Sequence, residues 1–516
     1  MEKIDAFKQQ LNTGYTTTGE SITLGAGLFD GLVQKDVAIK LPLKTLNRHG
    51  LIAGATGTGK TVTLQIIAES MCQAGIPVLL MDLKGDLSGI AKEATLNPKI
   101  EERHKLIGID FKACANTTEF FTLSKEQGVR LRATVSEFGP VLFSKILDLN
   151  DTQSGIVAIL FKYADDKKLP LLDLKDFKQL LQYATAQGKE EIKKEYGNIT
   201  STSTSTILRK IIELESQGAE LFFGEKSFEV ADLVRTDNNG KGIASVIRLT
   251  DIQDKPKLFS TFMLSLLAEV YASFPEAGDL EKPKLCIFID EAHLIFNEAS
   301  KALLDQLESI IKLIRSKGVG IFFITQNPYD VPDAVLSQLG LKVQHALRAF
   351  TEKDRKAIKK TAENYPISEF YKTDELLTSL GIGQALVSAL NEKGIPTPLA
   401  AVHLKAPSSR IGVLSPEEIA ENIAASKIAA KYNEVIDRES AYEILTAKIT
   451  EAEDEKEVEK KEKPKAKQKE EKSVIEKASE NTMVRQIGRT VMKEVARGLL
   501  GVLGIGGGSK KKKGWF

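Results

Sequence analysis

Two hydrophobic patterns alternate along the chain. Short unbroken apolar runs, each bounded by breakers, recur as "GLIAG" (50–54), "PVLLMD" (77–82), "GIASVIRL" (242–249), "KLCIFID" (284–290), "GVGIFFIT" (318–325) and "LKVQHALR" (341–348). Runs of this length predict buried strands. The stretches between them carry apolar residues at helical spacing. "TVTLQIIAESMCQAG" (61–75) reads as a helix that closes on Gly75, with Pro77 beyond as a stop. Strand, glycine-rich loop, helix and strand in succession make a βαβ unit, so a mainly parallel sheet covered on both faces is expected. Near the end of this region "QALVSAL", "NEKG" and "TPLAAVHL" (384–404) predict an antiparallel edge hairpin with a glycine-containing turn.

The pattern also divides the chain. Residues 1–48 contain the brief strand-like runs "ITLGAGLFDG" and "DVAIKLPL" and read as a short β-rich lead-in. Residues 49–129 form the first part of the α/β core. Residues 130–240 change to helical spacing in "GPVLFSKILDLND", "TQSGIVAILFKYADD" and "LKDFKQLLQYATAQ" and predict a helical insert. Within that insert "ITSTSTSTI" (199–207) reads as a solvated connection. Residues 241–410 complete the core, and 411–450 form a helical segment. Residues 451–480, with 11 acidic and 9 basic side chains, form a charged linker that is either a solvated helix or disordered. Residues 481–516 hold 8 basic residues against one acid, Glu494. In that charged C-terminal tail Val484, Ile487, Val491, Val495, Leu499 and Val502 share one helical stripe, opposite Arg485, Arg489, Lys493 and Arg497. Such an amphipathic helix suits a protein groove, an anionic membrane surface, nucleic acid or the chain's own core.

Bulk composition narrows the chemistry. The chain has 516 residues, 42% apolar and 27% charged, with a formal net charge of +1. Several units are expected at that length, and no global basic field marks a nucleic-acid partner, so any such contact must be local. Cys72, Cys114 and Cys286 stand far apart without a CxxC pair, and the five histidines are scattered. These spacings argue against a disulfide framework or zinc site and fit a cytoplasmic protein. The start "MEKIDAFKQQ" has no apolar signal core, and no run of about 18 apolar residues occurs.

The candidate chemistry lies at the ends of the predicted strands. Gly54, Ala55, Thr56, Gly57, Thr58, Gly59, Lys60 and Thr61 match G-x-x-x-x-G-K-[ST], between a strand and a helix. Glycines let main-chain amides close around a phosphate, and the helix adds its positive N-terminal dipole. Lys60 would reach the β- and γ-phosphates of ATP, and the Thr61 hydroxyl would ligate Mg2+. "LCIFIDEAHLIF" ends a buried strand in Asp290, the expected partner of the magnesium ion, and Glu291, the expected base for the attacking water. "GIFFITQNP" places Gln326 at a neighbouring strand end, where an amide can sense the γ-phosphate or hold the water. The string "DEAH" at 290–293 also occurs in two-lobed helicases, but no QxxGRxGR-like second-lobe motif follows.

Taken together, "LNRHGLIAGATGTGKTVTLQ", "LLMDLKGDLSGIA", "LRATVSEFGPVLFSKILDLNDTQSGI", "LCIFIDEAHLIF", "FFITQNPYDVPDAVLSQLGLKVQHALRAFTEKD" and "GIGQALVSAL" resemble the HerA–FtsK superfamily of P-loop ATPases, in particular its HerA-like proteins of the YjgR type. The resemblance spans about residues 22–404. It implies a RecA-like P-loop ATPase core, with ATP and Mg2+ as cofactors and a homo-oligomer, up to a hexameric ring, that moves DNA. Some relatives act on protein instead. The implied nucleotide site comprises Gly57, Gly59, Lys60, Thr61, Asp290, Glu291 and Gln326. Asp82 or Asp86 of "DLKGDLSG" would support the metal shell, or with Lys84 form a charged loop inside a ring. An arginine from the adjacent subunit would complete the site, with Arg315 and Arg348 as candidates. HerA proper carries a sizeable β-barrel ahead of its core, whereas 48 residues precede His49 here.

Overall fold

The computed structural model of the chain describes residues 2–278, 280–297, 301–434, 436 and 438–462. Its described residues divide into a sheet-containing unit, within 2–134 and 214–436, and a helical unit, within 135–213 and 438–462.

Twelve strands form one sheet in the first unit: β1 (Ser21–Phe29), β2 (Leu32–Pro42), β3 (Gly50–Ala53), β4 (Val78–Asp82), β5 (Thr118–Thr122), β6 (Val129–Arg130), β7 (Ala244–Arg248), β8 (Leu285–Ile289), β9 (Val319–Thr325), β10 (Leu341–Gln344), β11 (Gln384–Ser388) and β12 (Ala400–Leu404). Their order is β2-β1-β12-β11-β10-β3-β9-β8-β4-β7-β5-β6. From β10 to β6 every neighbouring pair is parallel. From β10 through β11, β12 and β1 to β2 every pair is antiparallel. The mainly parallel sheet and the antiparallel hairpin read from the sequence, β11–β12, are both present, but β1 and β2 pair onto β12, so the hairpin lies inside the antiparallel part and β2 forms its edge.

The central strands are apolar throughout because both faces are covered. Val78, Leu80, Cys286, Phe288, Phe322 and Ile324 share one core with Leu64, Ile67 and Met71 of the helix Lys60–Gln73. The intervening Leu79, Met81, Ile287, Ile289, Ile321 and Phe323 point the other way and are also buried. Phe288 and Phe322 stack across β8 and β9 with ring centroids 4.7 Å apart. The helix Lys60–Gln73 ends where the sequence places its exit, with Gly75 at φ +79°.

The boundaries differ from the sequence reading in several places. The lead-in opens with a helix, Glu2–Tyr15, which buries Phe7, Leu11 and Tyr15 at intervals of four. The Tyr15 hydroxyl donates to the Pro398 and Val387 carbonyls at 2.8 and 3.1 Å. Residues 214–240 group with the sheet unit rather than with the insert. The Ser/Thr-rich stretch is helical from Ser201 to Ser216 instead of a solvated connection. Its hydroxyls bond back to carbonyls one turn earlier, Thr204 to Ser201 at 3.0 Å and Thr206 to Thr202 at 3.1 Å, while Ile207 is buried.

In the helical unit Val135–Ile146, Asp151–Asp166 and Leu174–Thr185 meet through Phe143, Phe161 and Phe177, whose centroids lie 4.9–5.9 Å apart. The helix Ala441–Glu462 returns to this unit, where the Asp176 carboxylate accepts from the Tyr442 amide at 2.9 Å. That helix runs from the 411–450 segment into the charged stretch, so the two share one element. The basic stripe of 481–516 lies outside the described residues. Among the described residues, no helix is long and apolar enough to cross a membrane.

Candidate functional site

The glycine loop leaves β3 and turns directly into the helix Lys60–Gln73, with Gly59 in the left-handed region at φ +106°. Gly54, at φ +152°, is fixed by space as well as conformation: a Cβ there would fall 2.5 Å from the His345 Cβ. The loop is closed by its own groups. The Ala55 carbonyl accepts from the Thr58 hydroxyl at 2.7 Å and from Lys60 Nζ at 3.1 Å. The Ala55 amide donates to the Ala346 carbonyl at 2.9 Å, just beyond β10. The Thr63 hydroxyl and His345 Nε2 share a hydrogen bond of 2.9 Å beneath the loop. Burial, with the nearby Lys60 charge, pushes His345 down to about 4, so its ring is neutral at pH 7.

Strand β9 separates β3 from β8, and β4 flanks β8 on the other side. The pairings Met81↔Ile289 and Ile289↔Phe323 bring Asp82, Asp290 and Ile324 to one level of the sheet. All three strands end toward the glycine loop, as parallel pairing requires. Asp290 is 1% exposed, and neither of its carboxylate oxygens has a hydrogen-bond partner. Burial pushes its carboxyl up to about 6, with Lys84 opposing and Glu291 and Asp86 adding to the rise. Asp82 is fully buried and accepts from the Gly85 amide at 2.7 Å and the Leu87 amide at 3.2 Å. Burial, then Asp86, raises it to about 7. Burial raises the Asp86 carboxyl in the charged loop after β4, with Lys84 and the nearby Thr61 side chain opposing.

Glu291 adopts φ +47° and is 7% exposed. One oxygen forms an ion pair with Lys84 Nζ, and the other lies 3.2 Å from His293 Nδ1. Lys60 is lowered by burial and by Lys84, against the pull of Glu291 and Asp290. Gln326, exposed at the end of β9, accepts from the Thr56 hydroxyl at 3.4 Å and so sits between the glycine loop and the acidic pair.

The two candidate arginines go to opposite rims. Arg348 is exposed four residues beyond β10, on the rim of the glycine loop. Arg315, also exposed, begins the turn that feeds the start of β9, and its charge is felt at His49, which precedes β3. Within one chain it is therefore at the far end of the sheet. Three supports have no obvious signal in the sequence. His345 backs the loop, the Gly383 amide donates to the Thr58 carbonyl at 3.2 Å, and Arg103 braces that second loop by donating to the Gly383 and Ile382 carbonyls, each at 3.3 Å. The glycines of "LGIG" (380–383) were the available clue to the second.

The donor set fits a magnesium-bound triphosphate. Four carboxylates, on Asp82, Asp86, Asp290 and Glu291, crowd two ammonium groups, on Lys60 and Lys84. The unpartnered, buried oxygens of Asp290 are groups that a divalent cation or its water shell would satisfy. No cluster of three His, Cys, Asp or Glu suited to a metal occurs among the described residues. Magnesium at a nucleotide needs none, since phosphates and water supply most of its ligands.

Comparison with known proteins agrees with this fold. A relative from Saccharolobus solfataricus, named DNA double-strand break repair helicase HerA, is 24% identical over 392 residues, covering 74% of this chain and 69% of its own. The protein of the same name from Sulfolobus acidocaldarius is 22% identical over 369 residues and is covered over 65% of its length, slightly under two thirds. Among solved structures, the bacterial conjugative coupling protein TrwBdeltaN70 aligns with a TM-score of 0.51 at 14% identity, over 79% of this chain and 94% of that one. The plasmid coupling protein TrwB in complex with the non-hydrolysable ATP analogue ADPNP gives a TM-score of 0.50 at 15% identity, covering 78% and 98%. At these identities the likeness concerns the fold. The family model described as "Helicase HerA-like C-terminal" matches residues 30–511, nearly the whole chain, and the chain belongs to that family.

Proposed function

We propose that this protein is a cytoplasmic, Mg2+-dependent ATPase of HerA-like type that works as a homo-oligomer and converts ATP hydrolysis into movement along DNA. One observation carries the hydrolytic part. The glycine loop with Lys60 and Thr61 meets unpartnered Asp290 and adjacent Glu291 at one rim of the sheet, with Gln326 between them. The DNA part is supported by the relatives named as DNA double-strand break repair helicases. The cytoplasmic assignment is supported by the three cysteines, all free.

Each residue has a task. Main-chain amides of residues 54–61 and the Lys60 ammonium hold the phosphates and draw off charge from the β–γ bridge as it breaks. Thr61 and Asp290, supported by Asp86, would hold magnesium, which when bound neutralises phosphate charge. Glu291 accepts the proton of the attacking water, and the Gln326 amide orients that water. An arginine from an adjacent copy, Arg348 or Arg315, meets the γ-phosphate. Arg315 lies far from its own chain's loop, so it can serve only across a subunit boundary.

The deciding measurement is steady-state ATP turnover by the full chain with and without duplex or single-stranded DNA, alongside its mass by light scattering. DNA-stimulated turnover by an oligomer is expected. Turnover that DNA leaves unchanged would shift the reading to an ATPase acting on a protein partner, and a strict monomer with or without ATP would remove the ring.

A further inference from the structure

Lys84 belongs to the loop Leu83–Leu87, which is held stiffly. Asp82 accepts from two of its amides, Gly85 turns it at φ +80°, and the Gln253 side chain donates to the Leu83 carbonyl. From this base the Lys84 side chain, 40% exposed, reaches Glu291, which is 9% exposed at its side chain. Burial alone would lower the Lys84 ammonium, yet Glu291, Asp290 and Asp86 hold it above its ordinary value. The residue expected to take a proton from water thus has one oxygen committed to a cation and the other facing His293.

Resting on the reading of the site as an ATPase, we propose that Lys84 is a positioning residue. It parks the Glu291 carboxylate in an ion pair and releases it when a γ-phosphate draws the ammonium away. A carboxylate bound to an ammonium is a poorer proton acceptor, and its orientation is set by its partner rather than by the water. A terminal phosphate carries roughly two negative charges and competes with the carboxylate for the same lysine, so that in the ATP-bound chain the pair is open for only part of the time. The exchange needs only side-chain rotation, because Lys84 is half-exposed and Lys60 already faces the same cluster. In this arrangement idle turnover is limited by how often the ion pair opens.

The test compares the parent with Lys84→Met and Lys84→Gln in the full chain, without DNA. Loss of the ion pair is expected to raise kcat about fivefold, the scale of a half-exposed ion pair, while KM changes less than kcat. Lys84→Arg, which keeps the pair, is expected to bring kcat back toward the parental value. The gain should disappear when Lys84→Met is combined with Glu291→Gln. If both neutral variants are no faster than an active parent, the parking role is overturned and the ATPase reading stands. A parent without ATP turnover would remove the reading beneath it.

Discussion

The glycine loop after β3 and the charged loop after β4 leave the same rim of the sheet, but they are held by different atoms. Residues 54–61 are shaped by main chain: left-handed glycines, the Ala55 carbonyl as a hub, and an amide bonded to Ala346. Residues 82–87 are shaped by side chains, with buried Asp82 holding two amides and Lys84 reaching Glu291. A main-chain loop tolerates little extra volume and presents the same donors to any triphosphate. A side-chain loop tolerates volume but not a change of charge, which suits it to control rather than to grip.

The largest effect expected from breaking this division is at Lys60. Lys60→Ala should weaken ATP binding by about 10² or more, measured by calorimetry, because a charge-assisted contact to phosphate is lost. Glu291→Gln should leave binding within a few-fold and slow single-turnover hydrolysis by about 10² or more, as for loss of a general base. Equal hydrolysis by this variant and the parent would show that the base lies elsewhere. Gly54→Ala forces a Cβ against His345 and should cost about 1–3 kcal/mol as strain, seen as a lower Tm together with weaker nucleotide binding. Asp82→Ala should also cost about 1–3 kcal/mol by stranding the Gly85 and Leu87 amides, but with nucleotide affinity nearly unchanged.

The smallest expected effect is a pH slope. Burial lifts Asp82 to about 7 and Asp290 to about 6, against about 3.9 for an unfolded aspartate. The folded chain therefore binds more protons than the unfolded one between these values. The two groups favour folding most at the acid end, and that contribution is lost as pH rises through 6 and 7. The Tm advantage of parent over Asp82→Ala should shrink between about pH 5 and pH 8, as followed by thermal unfolding. Bound Mg-ADP should flatten the remaining slope from Asp290.

What could be read from the sequence follows the same division. The glycine loop and the Asp290–Glu291 pair are local strings between recognisable strands and helices, so their spacing alone announces them. The pairing of Lys84 with Glu291 depends on β4 lying beside β8, a register that no local string encodes. His345 looks like one more residue in an apolar run until β10 is placed next to β3. The helix Glu2–Tyr15 was hidden by its polar majority, although Phe7, Leu11 and Tyr15 recur every four residues. The helix Ser201–Ser216 was masked by serine and threonine, whose hydroxyls its own backbone absorbs. Which arginine would complete the proposed site across a subunit boundary is written in neither local pattern.

The exit of β10 has a mechanical consequence. The Ala346 carbonyl grips Ala55, His345 wedges under Gly54 and Thr63, and two residues later the chain surfaces at Arg348 and Phe350, the latter 82% exposed. A load applied at that outer corner has only the few irregular residues 347–350 in which to relax before it strains the glycine loop. Tugging by whatever touches the corner and tightening around a nucleotide thus act on the two ends of one short tether.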